Sequence, residues 1–381
     1  MLHPAYGSRA LTVQSADRCH LIDPAGRRYL DFITGIGVNA LGHAHPSIVS
    51  AITSQAALCI HTSNLHQHPY QSELAARLAS WSGLHQVFLS NSGTEAMEAA
   101  LKAARALANS RGRYSHRIVS LENSFHGRTA GALSVTGQSK YREPFLPLTP
   151  GVVFVPANDR EALARAVTPD TIAIVAETIQ GEGGIHMLTP EFLSAIRAHA
   201  TAIGALWIAD ETQCGLGRTG HRFAFQAFPE IPPPDVIVTA KPLAGGLPLG
   251  ATIFSETAAA AIATGMHGTT FGGGPLTCRA ALAFLEEVDR LLPAIRENGT
   301  YLQLQLNTLS SPLIREIRGR GLMAGIELTV PGEPFVHQAL ALGLVINCTH
   351  GNVLRLLPPY IAGRSEIDCA VETLRQILPS T

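Results

Sequence analysis

Of the 28 basic residues in this 381-residue chain only three are lysines, Lys102, Lys140 and Lys241, so a lysine here is not generic surface charge. Lys241 ends the apolar run DVIVTA and is followed by PLAGGLPLG. An amine in that setting is partly desolvated, which favours its neutral, nucleophilic form. It is a candidate for Schiff-base chemistry, which arginine cannot perform at neutral pH, while the plain alternative is a side chain snorkelling to solvent. Two other apolar runs end in carboxylates, ALWIAD in Asp210 and TIAIVAE in Glu177. An acid placed there needs a cation, a proton or hydrogen-bond donors, and a structural pairing with arginine would serve as well as a catalytic one. A fourth run, QVFLS, leads through Asn91-Ser92-Gly93-Thr94 into the helical stretch EAMEAALKAARAL. The turn and helix start offer free amides, a hydroxyl and the positive end of a helix dipole, which suits a phosphate, although an ordinary capped helix carries the same residues. Together, a phosphate cradle, a carboxylate and a desolvated lysine describe a pyridoxal phosphate site. The lysine holds the aldehyde, the carboxylate keeps the ring nitrogen protonated, and the helix start holds the phosphate.

These residues need elements that bring strand ends together. From about residue 86 the apolar runs QVFLS, RIVSLE, VVFV, TIAIVAE, ALWIAD, DVIVTA and ATIF alternate with helical stretches. Such alternation predicts a largely parallel sheet with helices on both faces and a ligand beyond the carboxyl ends of the strands. Thr189-Pro190-Glu191 supplies an N-cap, a first-turn proline and a first-turn acid for one of those helices. Asp23-Pro24-Ala25-Gly26 between CHLID and RRYLDF reads as a hairpin turn. After residue 275 a long helical pattern gives way to short strand-like runs around GLMAGIEL, GLVIN and VLRLLPP, an α+β tail expected to pack with the N-terminal hairpin. The expected organisation is residues 1–45 and 276–381 as the two parts of a small domain around a large domain of residues 46–275.

Composition excludes several roles. With 28 basic and 29 acidic residues the formal charge is -1, so no net basic field draws the chain to nucleic acid or an anionic membrane. Charged residues are 15% against a usual value of about 25%, which implies a large interior or interface. No apolar run approaches the ~18 residues of a membrane span, and MLHPAYGSRALTVQS lacks a secretory pattern, so a cytoplasmic protein is expected. Six scattered cysteines without C-x-x-C read as buried, reduced thiols. The segment GLGRTG (215–220) matches a dinucleotide fingerprint but is set off from its strand and is followed by proline-broken, aromatic-rich sequence, which argues against NAD. Sixteen histidines include GHAHP but no H-E-x-x-H, so no metal site is expected.

Several segments in order resemble the class III, pyridoxal phosphate-dependent aminotransferases, most closely the acetylornithine aminotransferases. They are DPAGRRYLDFITGIGVNALGHAHP, SNSGTEAMEAALKAAR, SFHGRT, KYREPF, ETIQGEGG, ADETQCGLGRTG, TAKPLAGGLPLG, HGTTFGGGPL, IRGRGLMAGIEL and VLRLLPP, spread over nearly the whole chain. The resemblance implies an α/β protein of PLP-dependent transferase fold type I, with a mostly parallel seven-stranded sheet between helices and a smaller α+β domain. It implies that Gly93 and Thr94 bind the cofactor phosphate, Phe125 stacks on its ring beside His126, Asp210 pairs with the ring nitrogen, Gln213 contacts the ring hydroxyl and Lys241 forms the Schiff base. Thr270 would reach the phosphate of a neighbouring subunit, making a homodimer with shared active sites. Arg128, with Thr269 beside it, would hold the carboxylate of the amine donor, with Arg142 a further candidate. Arg355 would clamp the α-carboxylate of 2-oxoglutarate, and Glu177 would mask it while the donor is bound.

The implied reaction moves the terminal amino group of N2-acetyl-L-ornithine to 2-oxoglutarate. Alternative substrates within the fold are ornithine, succinylated diamines, γ-aminobutyrate or a carrier-linked aminoadipate semialdehyde. Four positions depart from the usual pattern: Thr178 for proline, Thr212 for valine under the ring, Pro242 directly after the lysine, and Gly274 for asparagine. Pro242 is expected to press Lys241 towards an extended backbone.

Overall fold

The apolar runs become one seven-stranded sheet in the computed structural model, which describes residues 3, 5 and 10–379; most of MLHPAYGSR therefore lies outside the described residues. The strands are β1 (Gln86–Ser90), β2 (Arg117–Leu121), β3 (Val152–Val155), β4 (Thr171–Glu177), β5 (Leu206–Asp210), β6 (Val236–Thr239) and β7 (Gly250–Phe254). Their spatial order is β1-β7-β6-β5-β4-β2-β3. Neighbours from β6 through β3 run parallel, and β7 is antiparallel to both of its partners. The sheet is mostly parallel, as the alternation of runs predicts.

Every residue of β4, β5, β6 and β7 is buried, because helices cover both faces. On one face lies α1 (Gly93–Ser110), whose Ala96, Ala99, Ala100, Ala103 and Ala104 let its backbone approach Val175, Ile208 and Val238 closely. On the other lies α2 (Pro190–Ile203), which packs Phe192, Ile196 and Ala200 against Ile174 and Trp207. The predicted cap is present, since Thr189 Oγ1 accepts from the Phe192 amide at 3.2 Å. Parallel register sets Asp210 beside Glu177 of β4 and Val238 of β6, so the polar ends of three strands lie side by side.

The N-terminal turn forms the expected hairpin between His20–Ile22 and Arg28–Asp31, with Asp23 Oδ1 accepting from the amides of Ala25 and Arg27, both at 2.9 Å. Arg28–Asp31 also pairs in parallel with Leu344–Val345, which ties the start of the chain to its C-terminal part. A second, antiparallel sheet joins Ile314–Arg320, Met323–Leu328, Val353–Leu356 and Asn347–Thr349. The long helix α3 (Pro275–Leu306) starts at Gly274, which has no side chain to cap it, whereas the asparagine usual at this position could accept from a first-turn amide.

The GLGRTG segment is a buried turn and not the entry to a long helix; Arg218 within it is fully buried and donates to the carbonyls of Leu322 and Pro358. His43 is engaged by Asp31 at 2.8 Å. All six cysteines are unpaired, but only Cys19, Cys214 and Cys278 are buried; Cys59 and Cys348 are half-buried and Cys369 is exposed, because it sits on the solvent face of the last helix. Among the described residues no helix is long and apolar enough to cross a membrane. Replacing Thr189 by Ala should leave the α2 entry uncapped and lower stability by about 1 kcal/mol, measured as a shift of the urea midpoint at constant slope.

Candidate active site

A cavity of about 400 Å³ opens at the carboxyl ends of β4, β5 and β6, within the roughly 300–1,000 Å³ usual for small-molecule sites. Its walls include Gly93, Thr94, Phe125, His126, Arg128, Glu177, Asp210, Gln213 and Lys241. Residues far apart in sequence meet here because each follows a strand of the same sheet. Asp210 is oriented from both sides: one carboxylate oxygen accepts from the Thr212 amide at 3.0 Å and the other lies 2.7 Å from His126 Nδ1. An ionised carboxylate only accepts, so His126 donates through Nδ1. That leaves His126 Nε2 buried with no partner among the described residues, as is Thr212 Oγ1.

β6 ends one residue before Ala240, and the chain turns at once through Lys241–Leu243, closed by Leu243 N donating to Ala240 O at 3.0 Å. The turn puts Lys241 at φ +40°, in the left-handed region and not in the extended conformation expected before proline. Tertiary packing overrides the local preference because the side chain must leave the sheet edge and enter the cleft. Burial lowers the Lys241 pKa from its ordinary value and the Arg355 guanidinium adds to this, against the carboxylates of Glu182, Asp210 and Glu177.

At the start of α1, Ser92 Oγ accepts from the Glu95 amide at 3.3 Å, and the amides of Gly93 and Thr94 precede any i−4 acceptor. A Cβ at Gly93 would lie 2.9 Å from Thr212 Cγ2, so only glycine lets these two walls close. The Thr94 hydroxyl is already used: it accepts from the amides of Arg128 and Thr129, both at 3.2 Å. It therefore fixes the Arg128 turn, while Thr94 itself lines the cavity.

Arg355, 1% exposed, does not meet Glu177. Its Nη1 lies 2.6 Å from Glu182 Oε1 and also donates to Gln213 Oε1 at 3.1 Å and Gly181 O at 3.3 Å. Glu177 instead accepts from the amides of Phe125 and Gly181, at 3.0 and 3.1 Å, so both of its oxygens are committed to backbone. The acid paired with Arg355 is Glu182, five residues on; its place in the QGEGG turn was the signal that could have identified it. Burial would raise the Glu182 carboxyl, but the Arg355 charge and hydrogen bond hold it below the usual range. Burial pushes Glu177 up to about 7, with His126 opposing and Asp210 adding to the shift.

Arg128 reaches the cleft with its guanidinium 3.8 Å from the Tyr141 ring centroid and 5.4 Å from that of Phe125. Arg142 does not reach it, because its guanidinium stacks on Phe154 at the sheet edge, 4.0 Å from the ring centroid. Thr269 does not line this chain's cavity: its Oγ1 accepts from Asn91 Nδ2 at 3.1 Å, in an adjoining hollow with Glu95, Glu98, Lys102 and Thr129. Thr270 is exposed and lies outside this chain's own cleft, near His61 and Asn64. Val38, unremarked in the sequence, also lines the cavity, contributed by the N-terminal segment.

A profile described as Aminotransferase class-III matches residues 3–378. The chain belongs to the class III aminotransferases. The acetylornithine aminotransferase of Aquifex aeolicus is 45% identical over 361 residues, covering 94% of each chain. The solved N-acetylornithine aminotransferase of Stenotrophomonas maltophilia superposes with a TM-score of 0.85 at 29% identity, over 97% of this chain and 96% of its own. An amine transaminase from an uncultivated Pseudomonas species, solved with PLP bound, gives a TM-score of 0.91 at 28% identity over 99% and 98%. Like its family, this class III aminotransferase depends on pyridoxal phosphate.

One departure from the family pattern finds a physical reason in the structure, and the hydroxyl of Thr212 finds none. Thr178 Oγ1 donates to Glu211 Oε1 at 3.0 Å, a bond proline could not make; the amides of Ala224 and Phe225 complete the solvation of that buried carboxylate. Thr212 keeps a methyl against Gly93 but brings a hydroxyl.

The lowered Lys241 pKa has a stability consequence. Between that value and the unfolded value near ~10.4, the unfolded chain binds a proton that the folded chain does not, so stability rises with pH across that window and is lost as pH falls through it. For cofactor-free protein, the slope of unfolding free energy against pH in this range should be steeper in the wild type than in Lys241→Met, as followed by urea denaturation.

Proposed function

We propose that this aminotransferase moves the terminal amino group of N2-acetyl-L-ornithine to 2-oxoglutarate, giving N-acetyl-L-glutamate 5-semialdehyde and L-glutamate. The observation that carries the assignment of roles is the meeting of Lys241, Asp210, Glu182 and Arg128 in one cavity, with Arg355 held against its wall through Glu182 and Gln213. The named relatives support the choice of donor.

The residues present fit the cofactor. Buried His126 Nε2 and Thr212 Oγ1 have no partner among the described residues and belong to side chains that line the cavity, and the first amides of α1 have no intrahelical acceptor. When bound, pyridoxal phosphate supplies an aldehyde that condenses with amines and a ring that takes up electrons as a carbon–hydrogen bond breaks. Gly93 and Thr94 would hold the phosphate through their amides, Phe125 would cover one ring face, and Gln213 would meet the ring hydroxyl. Asp210, fixed by His126 and Thr212, would present an oxygen to the ring nitrogen and keep it protonated. Lys241 Nζ, whose pKa burial lowers, would hold the aldehyde carbon at rest and, once displaced by the donor amine, carry the proton away from the donor's reacting carbon.

Arg128 would take the donor's carboxylate. The donor's reacting carbon bears no carboxylate, so during that half-reaction Arg355 stays paired with Glu182. With 2-oxoglutarate, the substrate α-carboxylate would replace Glu182 on Arg355, exchanging one anion for another so that the buried guanidinium is never left unpaired.

The active protein is a homodimer in this reading. Leu58, Ile60, Leu65 and Phe271 are each more than half exposed, and Asn64 Nδ2 donates to the carbonyls of Thr269 and Gly272, linking two segments into one apolar surface. Burying that surface would carry Thr270 towards the partner's phosphate site. Six unpaired cysteines fit a cytoplasmic setting.

An amine panel with 2-oxoglutarate tests the substrate: N-acetylornithine should give the highest kcat/KM, and preference for ornithine, a succinylated diamine or γ-aminobutyrate would replace the donor named here. Lys241→Ala should lose turnover and the cofactor's lysine-bound absorption band together. Leu65→Asp should shift the sedimentation profile from dimer towards monomer and lower cofactor retention.

A further inference from the structure

Glu177 lies on the wall of the cleft, yet the roles assigned above leave it without one. Its carboxylate is buried, and its two oxygens are divided between two backbone segments that bear different parts of the site. One is the loop after β2, which carries Phe125, His126 and Arg128. This loop has irregular backbone, with Asn123 at φ +60° and Gly127 at φ +134°, so no strand ladder fixes the Phe125 amide. The other is the turn after Ile179–Gln180, in which Gly181 donates to Glu177, its carbonyl accepts from Arg355, and the next residue is Glu182. A side chain at Gly181 would collide with Gln213, so this turn is packed against the cavity as well as tied to it.

We infer that Glu177 is a positioning residue that staples the cofactor wall to the oxo-acid latch, one carboxylate oxygen holding each. This deepens the reading given under Proposed function and rests on it. Only a carboxylate of this length can serve both sides. Glutamine offers one acceptor oxygen, and its NH2 group would face an amide that also donates. Aspartate keeps the charge but is one methylene short of spanning both segments. Burial pushes this carboxyl up to about 7 and the two amide hydrogen bonds oppose that rise, so both oxygens accept once it is ionised, above that pH.

The test compares Glu177→Gln and Glu177→Asp with the wild-type holoenzyme, measuring cofactor release on dilution by absorbance, and KM for 2-oxoglutarate separately from kcat. Each variant should weaken cofactor retention or raise that KM by about tenfold, the effect of one lost buried hydrogen bond to a charged group, with kcat at saturation within about threefold of wild type. In a Glu182→Gln background the effect of Glu177→Gln on the 2-oxoglutarate KM should largely disappear, because the element it positions is already gone. If Asp behaves as wild type, charge alone suffices and the inference fails. It fails equally if kcat drops while both affinities hold, or if the two substitutions are additive. Should the Gln variant not fold, the Asp variant decides by the same criteria. Cofactor release needs no amine donor, so failure of N-acetylornithine as a substrate would sink the donor assignment and leave this measurement readable.

Discussion

The site depends on placing ionisable groups at the ends of strands that are buried on both faces. A charge in such a position is costly unless it is answered, and each one here is answered differently. Lys241 is pushed towards its neutral form, Asp210 is held by a histidine and an amide, Glu211 by a hydroxyl and two amides, and Arg355 by Glu182. The catalytic potential of the cleft and its electrostatic solvation are therefore the same set of contacts. Burial lowers the local dielectric, which gives each contact more weight than it would have at the surface.

The fold makes this arrangement possible through register. Parallel pairing puts the last residues of β4, β5 and β6 at one level, so that Glu177, Asp210 and the turn bearing Lys241 converge although 64 residues of sequence number separate the first from the last. The C-terminal part of the chain adds Arg355 from a different sheet, and the N-terminal segment adds Val38.

Much of this was legible in the residues. Lysine scarcity singled out Lys241, apolar runs ending in acids singled out Asp210, and the hairpin and helix-start residues behaved as their local chemistry requires. Errors arose where two acids were close in sequence and only one was singled out, or where a side chain had a choice of neighbours. Glu177 and Glu182 are five residues apart, and only the turn between them decides which reaches Arg355. Arg142 follows a stretch that enters the cleft but finds the face of Phe154.

Taken alone, the sequence determined the alternating strands and helices, the class of chemistry and most of the residues at strand ends, because hydrophobic period, helix caps and the chemical uniqueness of a lysine act locally. The tertiary structure decided which acid pairs with Arg355, that Lys241 adopts a left-handed backbone, and that Thr269 and Thr270 lie outside this chain's own cleft. Those outcomes depend on distances of a few ångströms between segments remote in sequence. No local preference encodes such distances, since they are set by how the packed elements come together.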